Sequence, residues 1–480
     1  MQMKIQKDRL AEYEQKYDKY RDLRRQLQEK ESDFATATAP MLDISTERLQ
    51  KGLQTGHSIA MLVQNFADVP PFILLITKAV CQQIRLPKEN FTNVYETTRA
   101  YQVRQAGSRY PTSNLSEDSF LTSQRGKSDT PVTLDDLKAT LIEYFWQPLE
   151  AKLENIHTLH LVTQGDLHFL PYDLGCPAHL NLHTYPGLLF YYQVHHMPPP
   201  AQPTEKRLGI QVYSATDSSI HNPIPLVDAE TLLLEALWDQ ETLYTPVDFS
   251  QSLSLYVLHL AGHGLISEDD PLSASLVMGD HEKLDARTIL HSPLRVQVVF
   301  LSACVVGRVT EDIDGDPLGL VSAFFMRGAQ YVIAYVQPAS DFYMPLLVCL
   351  FYQTWLTGTT PHEALREAKR RLQTGEWYPD TETLVRKTYQ PVLMSCLKQF
   401  RKSKKMMKRV VHTWITCYTL NATKKDLETT YQAEMAEIHG YLRENTDNHT
   451  LFVMSVLNTL CDNKHRLPVA DLCAWVRGFG

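Results

Sequence analysis

The sequence predicts an α/β fold: a mostly parallel sheet sandwiched by helices, with helical N- and C-terminal extensions. Three observations carry this. From about residue 134, apolar runs of strand length alternate with amphipathic helical stretches. The strand-like runs, such as LYVLHLA (255–261) and QVVFLSA (297–303), are apolar at nearly every position, as expected of strands covered on both faces. The flanking regions show helical spacing instead. Four segments follow: a helical region over 1–104, a flexible polar loop or linker over 105–133, the α/β domain over 134–380, and a helical region with a basic run over 381–480.

Taken in order, residues 3–31 read as one long helix, because Leu10, Tyr13, Tyr17, Tyr20, Leu23 and Leu27 recur at three- and four-residue steps between charges. The stripe is short for a self-sufficient coiled coil, so an amphipathic helix packed on its own chain is the preferred reading. Helical spacing continues to about residue 85; STERLQKGLQ opens on Ser45 as a helix cap, and FILLITKAV (72–80) reads as a core helix. Residues 105–133 are rich in Ser, Thr and Gly with almost no apolar periodicity. In the α/β domain, LKATLIEYFWQPLEAKL is a helix and TLHLV a strand; after the break MPPPAQP, RLGIQVYSA is a strand and VDAETLLLEALW a helix. LYVLHLAGHG and QVVFLSACVVG are strands, PLGLVSAFFMRGA a helix, YVIAYVQPASD a strand, and YMPLLVCLFYQTWL and HEALREAKRRL helices. The run LKQFRKSKKMMKR (397–409) holds seven Lys or Arg and no acid. It reads as a solvated helix face, since no aromatic pattern accompanies it that would stack on bases.

A chain of 480 residues carries a full core and two or three structural units. The formal net charge of −8 gives no global basic field for nucleic acid or anionic membrane. The apolar runs are too short to span a bilayer. The N-terminal stretch MQMKIQKDRLAEYEQKYDKY is charged throughout, unlike a secretory signal. The eight cysteines (81, 176, 304, 349, 396, 417, 461, 473) have no paired spacing, which suggests reduced thiols in a cytoplasmic protein. No CxxC pattern suggests a structural metal, and no GxGxxG or GxxxxGK[ST] motif suggests a nucleotide cofactor, so neither metal nor cofactor is expected.

The chemistry-bearing residues are His263 and Cys304. Each stands at the end of an apolar strand and is followed by glycine, directly or three residues on. In an open α/β sheet, sites form at the carboxyl edge of the strands. If the two strands are parallel neighbours, His263 and Cys304 lie side by side there; their separation of 41 positions (304 − 263) accommodates a crossover. An imidazole beside a thiol can take its proton and produce the nucleophilic thiolate. The backbone N–H groups of Gly264 and Cys304 are the natural donors to a tetrahedral oxyanion. A lone Cys on a strand is ordinarily a small core residue and a lone His a satisfied polar one. The paired strand-end setting is what lifts these two above that reading. His168, His183 and His259 have no such context, and His259 is expected to face the core or the next layer.

These motifs resemble the CHAT domain, a caspase-like cysteine peptidase family of the clan that includes caspases, separases and gingipains. The family's histidine motif, roughly H-L-A-T-H-G, is matched by His259-Leu260-Ala261-Gly262-His263-Gly264. Its cysteine motif, roughly L-S-A-C-x-T-G, is matched by Leu301-Ser302-Ala303-Cys304-Val305-Val306-Gly307. GDLHFLPYDL (165–174), PIPLVDAETLLLEAL, the helix and strand after the cysteine, and ALREAKRRL also match in order, so that the resemblance covers about 136–375. Gly262 and Val306 stand where the family usually has threonine. The resemblance implies a caspase-like fold and peptide hydrolysis, with Cys304 as nucleophile and His263 as base and acid. It implies a prokaryotic cytoplasmic setting and a defence role, CRISPR-linked in some members, in which a dedicated partner protein is cut.

Clan relatives seat the residue before the cut in a pocket beside the dyad, several with an acid selecting Arg or Lys. Asp341 is the first candidate here, with Asp269 and Asp270 as others; Asp341 as a cap of the next helix is the competing reading. The acidic segment GRVTEDIDGD (307–316) suggests activation by a cut after Arg308, with Arg109 and Arg125 in the polar loop as alternatives. The expected partners are a protein substrate and an upstream activating protease or CRISPR-type effector, with neither membrane nor direct nucleic-acid binding. The alternative function is a catalytically silent scaffold working through its helical flanks.

Overall fold

A computed structural model describes residues 45–63, 72–109, 132–163, 167–168, 170–196, 206–215, 224–238, 240–265, 274–303, 310–311, 317–336, 343–389, 391–392 and 395. The expected helix at 3–31 and the basic run at 397–409 lie outside them.

The described residues begin with helix α1 (Thr46–Gly52) and strands β1 (His57–Val63), β2 (Phe72–Thr77) and β3 (Cys81–Arg85), followed by α2 (Lys88–Arg109). Helix α3 (Leu134–Leu141) runs through a π turn, Ile142–Trp146, into α4 (Gln147–Leu153). Next come β4 (Thr158–Val162), β5 (Asn181–Tyr185), α5 (Leu188–His196), β6 (Leu208–Val212), α6 (Asp228–Leu237), β7 (Leu243–Tyr244) and β8 (Ser254–Ala261). Short strands β9 (Gly264–Leu265), β10 (Ser275–Val277) and β11 (Lys283–Asp285) lead to α7 (Ala286–His291) and β12 (Arg295–Ser302). After β13 (Thr310–Glu311) and β14 (Pro317–Leu318) come α8 (Leu320–Met326), β15 (Tyr331–Ala334), α9 (Met344–Leu356), α10 (Pro361–Thr374) and α11 (Pro379–Lys387).

Two five-stranded sheets organise the described residues. The first has the order β3-β2-β1-β4-β5, with β1, β2 and β3 antiparallel and β1, β4 and β5 parallel. The second, β15-β12-β8-β6-β7, is parallel throughout. On one face of the second sheet Val257, Val298 and Phe300 pack against α6 and α9. On its other face Leu258, Leu260, Val299 and Leu301 join Leu320 and Phe324 of α8. That same cluster takes in Ile59, Tyr185 and Phe190, so one apolar core joins both sheets. The Gln193 side chain also donates to the Phe325 carbonyl at 2.6 Å, tying α5 to α8. Mixed α/β layering with parallel sheets flanked by helices is the expected class. Ser45 caps α1 as expected, accepting from the Arg48 N–H.

Three expectations are corrected. The first 104 residues are not helical throughout: 57–63, 72–77 and 81–85 are strands, and FILLIT is β2 rather than a core helix. SIAMLV and FILLIT are short continuous apolar runs, for which a helical and a strand reading look alike until a partner strand is known. That partner is β4, deep in the α/β region: Ser58 to Met61 pair with Leu159 to Val162. The sheet therefore crosses the expected boundary at 104–134. The linker also starts later than 105, because α2 runs to Arg109. At its other end Thr133 and Asp136 form a capping box that starts α3.

Where the first sheet meets α5 and α10 lies a layer of imidazoles. His57 Nδ1 is 3.3 Å from His160 Nε2, and His160 Nδ1 is 3.3 Å from the Tyr185 hydroxyl. His183 on β5 stacks on His362 of α10, with ring centroids 4.0 Å apart. Burial, helped by neighbouring imidazoles, pushes His160 down to about 2 and His183 to about 3. Burial, helped by Arg366 and Lys369, lowers His362 to about 4. These rings stay neutral in the folded chain, whereas the unfolded chain protonates them below its ordinary histidine pKa of about 6.5. The unfolded state thus binds more protons in that window, and stability falls as pH falls from about 6.5 toward the folded values. His160 contributes up to about 1.4 kcal/mol per pH unit, or about 2 kcal/mol between pH 6.5 and 5. Denaturant unfolding at those two pH values should show the drop, and His160→Gln should shrink it; equal stability at both would overturn this account.

Candidate active site

The second sheet places the carboxyl ends of β8 and β12 side by side. They are parallel neighbours in register from Arg295↔Ser254 to Ser302↔Ala261, so both strands stop at the same height. Beyond that rung the Gly262 N–H still donates to the Ser302 carbonyl at 3.3 Å. On the other side the Tyr213 N–H donates to the Ala261 carbonyl at 2.9 Å, holding the end of β6 level with β8. His263 comes next, half-buried, and its carbonyl accepts from the Val277 N–H at 2.9 Å. The histidine is thereby held between the large sheet and the small antiparallel sheet β11-β10-β9.

That small sheet bears on Gly264. The bond between 277 and 263 marks a hydrogen-bonded rung of the antiparallel ladder. The next rung, Gly264↔Leu276, is then of the other kind, so the Gly264 N–H points away from β10. A donor turned out of the ladder beside His263 is what an oxyanion site requires.

Beneath the strand ends lies a buried polar network that the sequence reading did not foresee. Glu230, in the first turn of α6, is fully buried, as are His259, Ser302 and Tyr352. The Ser302 hydroxyl donates to Glu230 Oε1 at 2.9 Å, and His259 Nε2 lies 2.8 Å from Glu230 Oε2. The Tyr352 hydroxyl lies 3.2 Å from His259 Nδ1. A carboxylate only accepts, so the His259 Nε2 carries the hydrogen that meets Glu230, and the Tyr352 hydroxyl is the partner of Nδ1. Burial and the neighbouring Glu230 carboxylate push the Tyr352 hydroxyl well above the usual phenol range, which keeps it a donor. His259 faces the helical layer, as expected, but with a specific partner. Glu230, His259 and Ser302 all lie inside the motif stretches at 223–237, 259–264 and 301–307, although nothing local pairs them.

The other expected residues stand as follows. Cys304, Arg308, Asp269, Asp270, Asp341 and Arg125 lie outside the described residues; the description ends at Ala303, directly before Cys304. Arg109 is the last residue of α2. Tyr343 holds the cap position of α9, and among the described residues no side chain caps that helix. Among the described residues no three His, Cys, Asp or Glu side chains converge as a metal ligand set, and no helix is long and apolar enough to cross a membrane. The described cysteines Cys81, Cys176 and Cys349 are free thiols. Burial pushes Cys176 and Cys349 up to about 12.

Gly262 stands where the family pattern has threonine, and the geometry supplies the reason. A Cβ at 262 would come within 2.8 Å of the Val277 carbonyl oxygen, a backbone atom fixed by the β10 ladder. Gly262→Thr should therefore displace the small sheet and cost about 1–3 kcal/mol, the usual penalty of overpacking. Denaturant unfolding of the variant checks this; unchanged stability would show that β10 yields freely.

Comparison with known proteins follows the same lines. The CHAT domain family matches residues 135–393. No curated protein matches the chain in sequence. Among solved structures, a chain of the Saccharomyces cerevisiae separase–securin complex is similar at 11% identity and a TM-score of 0.40. The match covers 70% of this chain and 29% of that one, so this chain spans under a third of that chain's length. With more than half of its 480 residues matched, from the start of α3 to just beyond α11, the chain belongs to the CHAT domain family, whose fold is that of a caspase-like cysteine peptidase.

Proposed function

We propose that the chain is a cysteine endopeptidase that cuts a partner protein with a His263–Cys304 dyad. The observation that carries this reading is the level, parallel adjacency of β8 and β12, with His263 just past one strand end and Cys304 two residues past the other. In the proposed reaction the His263 imidazole takes the thiol proton, and the thiolate sulfur attacks the scissile carbonyl. The Gly264 and Cys304 N–H groups stabilise the resulting oxyanion. The imidazolium gives its proton to the leaving amine, which departs as the thioester forms. His263 then takes a proton from water, whose oxygen attacks the thioester, and the thiolate leaves with the carboxylic acid product formed.

The substrate residue before the cut is proposed to be Arg or Lys, held by Asp341, with Asp269 and Asp270 as the other acids near the site. Activation is proposed to follow a cut after Arg308, or after Arg109 or Arg125, made by an upstream protease or triggered by a CRISPR-type effector in a prokaryotic defence pathway.

Two outcomes are expected. Host lysate incubated with the intact chain should yield new protein termini, read by mass spectrometry, that vanish with Cys304→Ala or His263→Ala. Termini seen only after limited cleavage of the chain identify a zymogen. If no condition yields Cys304-dependent termini, the chain acts as a scaffold through its flanks. With Asp341→Ala, cleavage of an Arg-containing peptide should fall at least tenfold in kcat/KM; an unchanged rate would remove Asp341 from the specificity pocket.

A further inference from the structure

Glu230 is an expensive residue to keep where it stands. A carboxylate removed from water loses its hydration and must be repaid by hydrogen bonds. A well-packed apolar residue of similar volume commonly stabilises a core as well or better. Here both oxygens are occupied, one by Ser302 of β12 and the other by His259 of β8. The α6 N-terminus adds the favourable end of its dipole. The two donors are placed tellingly: Ser302 is the last residue of β12, and His259 stands two residues before the end of β8. One side chain from a third element thus grips both strands within their last three residues. Tyr352 of α9 holds the far side of the His259 ring.

We propose that Glu230 is a positioning residue: by accepting from Ser302 and His259 it locks the carboxyl ends of β8 and β12 at one height, and so sets where His263 stands relative to the residue after Ala303. The ladder sets the register of the two strands up to Ser302↔Ala261 and one bond beyond it; Glu230 adds a side-chain clamp at the point where the ladder stops. The inference rests on the peptidase reading for its meaning, yet its physical content can be read without any turnover.

The test uses the full chain with Glu230→Gln and with Ser302→Ala. The glutamine keeps the shape but points an N–H group at one of its two donors; the alanine removes a single hydroxyl. Iodoacetamide labels Cys304, read as its own peptide by mass spectrometry between pH 5 and 9.5. Cys176 and Cys349 have raised thiol pKa values and so react slowly. In both variants the midpoint of Cys304 labelling should rise by about one pH unit, since the imidazole no longer meets the thiol in register. Cleavage should fall about tenfold in kcat with KM within twofold, while the Ser302→Ala protein unfolds within a few degrees of the parent. A labelling midpoint and kcat unchanged in folded variants would overturn the proposal, and so would failure of both variants to fold, which would mark Glu230 as structural only. If the parent cuts nothing but the midpoint still moves in the variants, the positioning role stands and the peptidase reading falls. If parent and variants cut alike, the reverse holds.

Discussion

The carboxylate of Glu230, buried and doubly hydrogen-bonded, is the constraint on which the carboxyl edge of the second sheet depends. It cannot be left half satisfied in so dry a setting. Helix α6 must therefore sit at one height over the sheet, Ser302 must end its strand facing that helix, and His259 must present its Nε2–H to the acid. Apolar packing fills the space around these groups but is non-directional and tolerates sliding. The hydrogen bonds do not. In this molecule shape comes from the apolar layers, the level of the two strand ends from their ladder, and one buried acid clamps them there.

A second constraint acts from the other side of the histidine. The Val277 carbonyl presses so close to residue 262 that only glycine fits, and the neighbouring N–H of Val277 holds the His263 carbonyl. His263 is thus pinned through its backbone on one side while the strand below it is pinned through side chains. A half-buried ring on a firmly held backbone combines access to substrate with a fixed origin for its motion.

The first sheet adds a different kind of chemistry. Its histidines are stacked, buried and kept neutral, which makes that layer sensitive to acid. Because the core that contains Tyr185 and Phe190 also contains Leu258, Leu260 and Phe324, loss of the layer would be felt in the second sheet. The two sheets share a core, and the strands contributed by residues 57–85 belong to it as much as those of the matched region do.

The long strands β4, β6, β8, β12 and β15 and the helices α6, α8, α9 and α10 were legible in the sequence, because apolar runs bounded by turn residues are local signals; β5, α5 and the short strands β9–β11, with little apolar pattern of their own, were not. Also legible were the cap at Ser45 and the strand-end setting of His263, each a matter of a few adjacent residues. The strands at 57–85 were not, because a short apolar run is compatible with helix or strand until a distant partner, here β4, supplies its hydrogen bonds. Nor was the role of Glu230 legible: it reads as one more acid in a helix until tertiary packing sets it against a serine 72 residues away and a histidine 29 residues away. The sequence by itself determined the class of fold and the strand-end position of His263. Only the tertiary structure decided which strands stand side by side, at what height they end, and which buried acid holds them there, since those are long-range contacts with no local trace.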